Sequence, residues 1–163
     1  MTAAKKRFLV FGLMALAILL VAVLAPVIAT HDPNSSVLAD AVQPPSGEHW
    51  FGTDKMGRDL FSRVIYGTRT SILSTMVLVL SILLLGGALG IVAGYVGGVV
   101  ETIIMRVADM MVSFPGMALA IALAGMLGGS ITSAILAIMA VSWTKYARLA
   151  RSLVLKIRER DYI

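Results

Sequence analysis

The sequence predicts an all-α fold, a polytopic bundle of transmembrane helices with about four spans. The 163 residues are 58% hydrophobic and only 14% charged, whereas soluble domains carry roughly 25% charged residues. The mean hydropathy is +0.90. The charge is also unevenly distributed, because long stretches contain no Asp, Glu, Lys or Arg. Such stretches are typical of segments that dissolve in lipid.

The first predicted span covers residues 8–29 and follows three basic residues at positions 5–7. A signal peptide is the alternative, since Val27 and Ala29 fit a cleavage site before Thr30. Signal-peptide cores run about 7–15 residues, and this apolar run is longer, which favours an uncleaved span.

Residues 30–69 are the only long polar segment, and their first half has the composition of a loop. In the second half, Asp54 is predicted to cap an amphipathic helix that lies on the membrane surface. Its apolar face would hold Met56, Leu60, Phe61, Val64 and Ile65, and its polar face Lys55, Arg58, Asp59 and Arg63. We therefore expect an N-terminal region, residues 1–70, with one span and an external segment, and a transmembrane domain, residues 71–163.

Three further spans are predicted at residues 70–100, 110–127 and 131–143, followed by a basic amphipathic helix at 145–163. Between the second and third spans, Arg106 and Asp109 are spaced to form a surface ion pair. Pro115 is predicted to lie in the first turn of the third span, where proline is tolerated, rather than at a hinge.

Lys and Arg are distributed asymmetrically between the two predicted sides. Ten fall on the side of the N-terminus and four in the segment 30–69. The positive-inside rule therefore predicts that both termini are cytoplasmic. The basic residues accompany apolar runs and not interleaved aromatics, which indicates a lipid partner and no nucleic acid.

A glycine repeat marks the second span. At four-residue spacing, glycines are predicted to share one helix face that another helix can approach closely: Gly86, Gly90, Gly94 and Gly98. The approaching helix belongs either to this chain or to a partner subunit, and we favour the first because every multispan bundle needs such contacts.

Chemistry-bearing residues are scarce. The predicted spans contain no Asp, Glu, Lys, Arg or His in their interiors, and the chain has no GxxxxGK[ST] loop and no cysteine. His31 and His49 lack the paired spacing of metal ligands, so they are expected to be solvated loop residues. The sequence predicts no catalytic residue, no metal and no cofactor, and hence a protein that is not an enzyme.

Three strings resemble the C-type permease subunit of peptide/nickel ABC importers, of the binding-protein-dependent transport inner-membrane component family. They are FGTDKMGRDLFSRVIYGTRTSI at 51–72, MRVADMMVSFPG at 105–116 and SWTKYARLARSLVLKIRERDYI at 142–163. The resemblance implies a six-span subunit in a bacterial inner membrane that imports dipeptides, oligopeptides or nickel. Its implied partners are a second permease, two cytoplasmic ATPases that supply the energy, and a solute-binding protein outside.

The resemblance also implies functional residues. An external family motif would comprise Gly52, Thr53, Asp54, Gly57, Arg58 and Asp59, with a role in receiving the binding protein. An ATPase-side segment would comprise Arg158, Glu159, Arg160, Asp161, Tyr162 and Ile163. In the family this segment runs into a glutamate-alanine-alanine coupling loop, so the permease domain is expected to be incomplete, as a fragment or a truncated reading frame. The alternative function is an autonomous small membrane protein that scaffolds partners through its glycines.

Overall fold

The computed structural model describes residues 3–158, and it is 77% helical with no strand among them. The helices are α1 (Ala3–Ile28), α2 (Leu60–Val96), α3 (Gly98–Ser113), α4 (Gly116–Met126) and α5 (Ile131–Arg158). A short 3-10 helix, Leu38–Asp40, lies in the segment between α1 and α2. The predicted all-α fold is confirmed.

The described residues divide into two compact units, with the boundary between Leu73 and Ser74. The first unit contains α1, the connecting segment and the start of α2. The second contains the rest of α2 and the helices α3, α4 and α5.

Two helices in the described part of the chain are long and apolar enough to cross a membrane, Ala4–Ile28 and Leu60–Val96. A third span results if α3 and α4 count as one, although they are bent by 91° relative to each other. The predicted number of four is therefore too high by this measure. Residues 131–143 are not among these spans because the uncharged stretch before Lys145 is shorter than the roughly 20 apolar residues that a span needs. The expected boundary between a fourth span and a separate amphipathic helix does not exist.

The prediction of a separate surface helix capped by Asp54 is wrong. Residues 54–59 form a turn, and the helix that begins at Leu60 continues to Val96 as α2. At roughly 1.5 Å per residue its 37 residues extend about 55 Å. Such a helix exceeds the ~30 Å hydrocarbon core, so the polar residues 60–69 are a continuation of a spanning helix.

The predicted third span is interrupted where Phe114 precedes Pro115. A residue before proline is driven out of the helical region, and Phe114 adopts φ −90° and ψ 147°. Pro115 precedes the first residue of α4, so the expectation that it marks a helix start is confirmed. However, the helix that starts here, α4, is bent by 91° relative to α3, so the two do not form a straight span.

In the second unit, α5 packs against both α3 and α4. Its buried residues Trp143 and Ala147 form a small core with Ala108 of α3, and Leu89 of α2 packs against this core. The two alanines of this core let the helices approach closely, as expected for helix contacts in lipid.

Candidate functional site

The candidate site in the first unit is the motif turn, which we define as residues 52–59. Its ends are joined by an antiparallel bridge between Thr53 and Asp59. Within it, the Asp54 amide donates to the Arg58 carbonyl at 3.0 Å, and the Gly57 amide donates to the Asp54 carbonyl at 2.9 Å. All six residues of the external family motif therefore belong to one closed turn.

Two glycines permit this turn. Gly52 and Gly57 have φ angles of +74° and +71°, in the left-handed region that favours glycine. A Cβ on Gly57 would also collide with the backbone of Val37, and one on Gly52 with the carbonyl of Gln43. These two positions tie the turn to the loop before it.

Thr53 makes a second link to that loop. Its side chain is buried, its hydroxyl donates to the Asp40 carbonyl, and it accepts a 2.8 Å bond from the Gln43 amide. Backbone bonds between Thr53 and Gln43 and between Val42 and Asp54 extend the same contact.

Asp54 organises the turn from inside. Its carboxylate accepts bonds from the Met56 and Arg58 amides at 2.8 and 3.1 Å, and it pairs with the Arg58 guanidinium through Nε and Nη2, both at 2.8 Å. The side-chain hydrogen bond from Arg58 is the largest cause that lowers the pKa of Asp54 to about 2. Arg58 is therefore engaged within the turn.

Asp59 caps α2. Its Oδ2 accepts the Ser62 amide at 2.7 Å, the N-terminal capping arrangement, while Oδ1 lies 3.0 Å from His49 Nδ1. Burial raises the pKa of this carboxyl, but the hydrogen bonds from Ser62 and His49 outweigh it, and the pKa is lowered overall. Asp59 is 2% exposed, so its carboxylate contacts His49 and the start of α2 and does not reach the surface of the protein.

The sequence predicts that both histidines are solvated loop residues, and for His49 this prediction is wrong. His49 is buried, and its ring lies 4.8 Å from that of His31, centroid to centroid. The backbone amide of His31 donates to the buried Ser62 hydroxyl at 3.0 Å. The first turn of α2 thus holds both histidines in place.

An exposed aromatic cluster lies beside the motif turn and was not predicted. Trp50 and Phe51 are each more than half exposed, and both contact Phe61 at centroid distances of 4.8 and 5.3 Å. The sequence signal for it was present, since Trp50 and Phe51 are adjacent just before a span. Aromatic side chains at such positions are typical of the membrane–water interface.

In the second unit, three of the four predicted packing glycines face α5. An added Cβ on Gly86 would lie 2.6 Å from the Trp143 carbonyl oxygen, one on Gly90 2.7 Å from Ala150 Cβ, and one on Gly94 2.8 Å from Val154 Cβ. Gly98 does not share this face, because α2 ends at Val96 and Gly98 opens α3 with φ +57°.

Charged side chains join α5 to the preceding helices. Arg148 pairs with Asp109 at 2.9 Å, and Arg151 pairs with Glu101. The expected pair between Arg106 and Asp109 is wrong, since the Asp109 carboxylate turns to the neighbouring helix instead.

Of the predicted ATPase-side segment, only Arg158 lies within the described residues; positions 159–163 lie outside them. Arg158 Nη1 donates to the carbonyls of Gly94 and Tyr95, at 2.9 and 3.1 Å. It therefore satisfies two of the carbonyls left open where α2 ends.

The long uncharged stretches of α1 and α2, and the close approach of α5 to glycines of α2, define a multi-pass membrane protein. Residues 86–163 match the family described as "Binding-protein-dependent transport system inner membrane component". Over these residues the chain is similar to this family.

Curated relatives extend the similarity to the rest of the chain. It is 46% identical to the probable D,D-dipeptide transport system permease protein DdpC of Escherichia coli K12, over 89% of the chain and 49% of the relative. It is 38% identical to the dipeptide transport system permease protein DppC of Alkalihalophilus pseudofirmus, over 98% of the chain and 53% of the relative. It is 40% identical to the nickel transport system permease protein NikC of E. coli K12, over 91% of the chain and 56% of the relative. The chain thus spans about half the length of the relatives it matches.

Proposed function

We propose that this chain forms part of the permease subunit of an ATP-binding-cassette importer for dipeptides, oligopeptides or nickel ions. The observation that carries the proposal is a family-matched helix bundle whose apolar helices have no Asp, Glu, Lys, Arg or His over 70–96 or 116–126. Ion-coupled carriers need such groups at depth. In the proposed assembly the energy for transport comes from two cytoplasmic ATPase subunits.

The proposed topology follows from the charge distribution. With α1 and α2 as the two spans and the bent α3–α4 pair not crossing the membrane, both ends of the chain face the cytoplasm, and the motif turn lies outside, where a solute-binding protein delivers the substrate. The aromatic cluster of Trp50, Phe51 and Phe61 then lies at the external face of the membrane, where lipid meets water. A second permease subunit completes the translocation pathway.

The motif turn contributes to this function by its shape. Asp54, Arg58 and Asp59 bond within the turn or to α2, so they fix the loop at the outer end of α2 and leave few charges for direct contact. The solute-binding protein contacts the outer surface of this turn, which includes the exposed Lys55.

The scaffolding alternative is less favoured. It required the glycines to be open to a partner, whereas α5 already covers Gly86, Gly90 and Gly94. The relatives named as transport permeases also support the transport proposal.

The test is uptake by the complete transporter containing this chain, reconstituted in vesicles with its ATPases and binding protein. Labelled dipeptide or radioactive Ni²⁺ is offered with ATP and with a non-hydrolysable ATP analogue. The proposal predicts accumulation of one substrate class only with hydrolysable ATP. Accumulation of neither class, or equal accumulation without hydrolysis, would contradict it.

A further inference from the structure

We propose that His31, Glu48 and His49 form a binding site for a divalent transition-metal ion in the segment between α1 and α2. The inference goes beyond the transport function and does not depend on it. One potential ligand atom from each of these three residues lies within 4.8 Å of the other two. A single ion could therefore contact all three after small side-chain adjustments.

The two histidines are held in position by the start of α2. His31 is fixed through its backbone amide, which donates to Ser62 Oγ at 3.0 Å, and Ser62 is fully buried. His49 is fixed through its ring, whose Nδ1 lies 3.0 Å from Asp59 Oδ1. Residues 18 positions apart in the sequence are thus brought to a ring separation of 4.8 Å.

Asp59 gives His49 the character of a metal ligand. A carboxylate that accepts the Nδ1 proton leaves the Nε2 lone pair free, and this carboxylate–histidine arrangement typically supports metal-bound imidazoles. The ring of His31 is similarly oriented by Thr30, whose Oγ1 lies 3.0 Å from Nδ1. When His31 Nδ1 carries the proton and donates it to Thr30 Oγ1, the Nε2 lone pair of His31 is likewise available to an ion.

The donor set selects the class of metal. Two imidazoles and one carboxylate suit Ni²⁺, Zn²⁺ or Co²⁺, whereas Mg²⁺ and Ca²⁺ prefer ligands that are all oxygen. Three protein donors leave a coordination position open, unlike the closed four-ligand sites that serve purely structural roles. Glu48 is exposed and His31 partly exposed, so an ion has access from solvent. The site is built for exchangeable binding.

The test uses the full chain in detergent, purified through a tag without histidine. Co²⁺ is titrated while its visible absorption bands are followed, and Ni²⁺ and Mg²⁺ are then added as competitors. We expect saturable Co²⁺ binding at one site, displaced by Ni²⁺ but not by Mg²⁺.

Two variants and a control separate the site from the fold. His31→Gln and Glu48→Gln each remove a donor and should weaken Co²⁺ binding at least about 10-fold, the lower end of what even a supporting residue contributes. Asp32→Asn changes an exposed carboxylate next to His31 that bonds to the Asn34 amide, and it should bind Co²⁺ as the wild type does. Equal thermal unfolding of all four proteins without metal shows that the fold is intact. Wild-type affinity in either variant, or no Co²⁺ band in the wild type, would overturn the proposal.

Discussion

At the residue scale, two aspartates five positions apart perform different tasks. Asp54 bonds inside the motif turn to Arg58, while Asp59 is buried and caps α2. The sequence led us to assign the cap to Asp54, because either aspartate precedes an apolar helical stretch. The distinguishing signal was Gly57, whose left-handed backbone ends any helix begun at Asp54 and leaves Asp59 as the last residue before α2.

The lowered pKa of Asp54 predicts how its contribution to stability depends on pH. A carboxyl whose folded-state pKa is depressed stabilises the fold above its unfolded value, and this contribution is lost as pH falls from about 3.8 to about 2. Asp54→Asn should therefore unfold at a lower temperature than the wild type at neutral pH. The difference should shrink below the unfolded pKa.

Thermal unfolding in detergent, followed by circular dichroism over this pH range, measures the difference. Asp32→Asn serves as the matched change of an exposed carboxylate. If the difference in unfolding temperature between the wild type and Asp54→Asn stays constant down to the lowest pH, the lowered pKa of Asp54 is contradicted.

Gly57 provides a second residue-scale prediction. Gly57→Ala would place a Cβ against the Val37 backbone at a φ of +71°. Left-handed backbone alone costs an L-residue roughly 1–2 kcal/mol, so we expect a loss of at least this size in the free energy of unfolding.

Gly47→Ala is the control, because a Cβ there meets no atom within 4 Å and the backbone is not left-handed. Denaturant or thermal unfolding of both variants checks the prediction. Equal stability of the two would show that the turn does not require glycine at position 57.

At the element scale, the contact in the second unit that the sequence anticipated is the close approach of α2 to α5. The four-residue spacing of glycines predicted a close contact, and the structure places α5 on Gly86, Gly90 and Gly94. The sequence could not identify α5 as the partner, because the spacing describes one face of one helix. Nor could it show that α5 is continuous, since its charged residues suggested a boundary where the backbone has none.

Matched substitutions on α2 test this contact. Gly90→Leu forces a side chain into the Ala147 backbone and Ala150, whereas Gly87→Leu points into open space on the same helix. Overpacking of a tight contact costs typically about 1–3 kcal/mol, so Gly90→Leu should unfold at a lower temperature and Gly87→Leu close to the wild type.

Unfolding of the two variants in identical detergent micelles gives the comparison. If Gly87→Leu proves as damaging as Gly90→Leu, the loss reflects leucine on α2 in general and not the α5 contact.

At the scale of the whole molecule, the all-α membrane fold was predictable because long charge-free stretches are typical of helices surrounded by lipid. The number of spans was harder to predict from the sequence. The break at Pro115 and the long continuous helices depend on local backbone geometry and on packing, neither of which hydropathy describes. The buried histidine–aspartate contact was also beyond the sequence, because it joins a loop to a helix start ten residues later.

The central claim is that lipid surrounds the apolar helices, with the motif turn outside and the basic end of α5 inside. The chain contains no cysteine, so single cysteines can be introduced without a background. Three exposed positions suit labelling in intact cells: Lys55 in the motif turn, Leu84 on α2, which is 73% exposed, and Lys156 near the end of α5.

The deciding measurement is the labelling rate of these three cysteine variants by a membrane-impermeant maleimide, before and after the membrane is permeabilised. We predict rapid labelling of Lys55→Cys from outside, labelling of Lys156→Cys only after permeabilisation, and none of Leu84→Cys in either case. Rapid labelling of Leu84→Cys in the intact membrane, or of Lys156→Cys from outside, would contradict the proposed architecture.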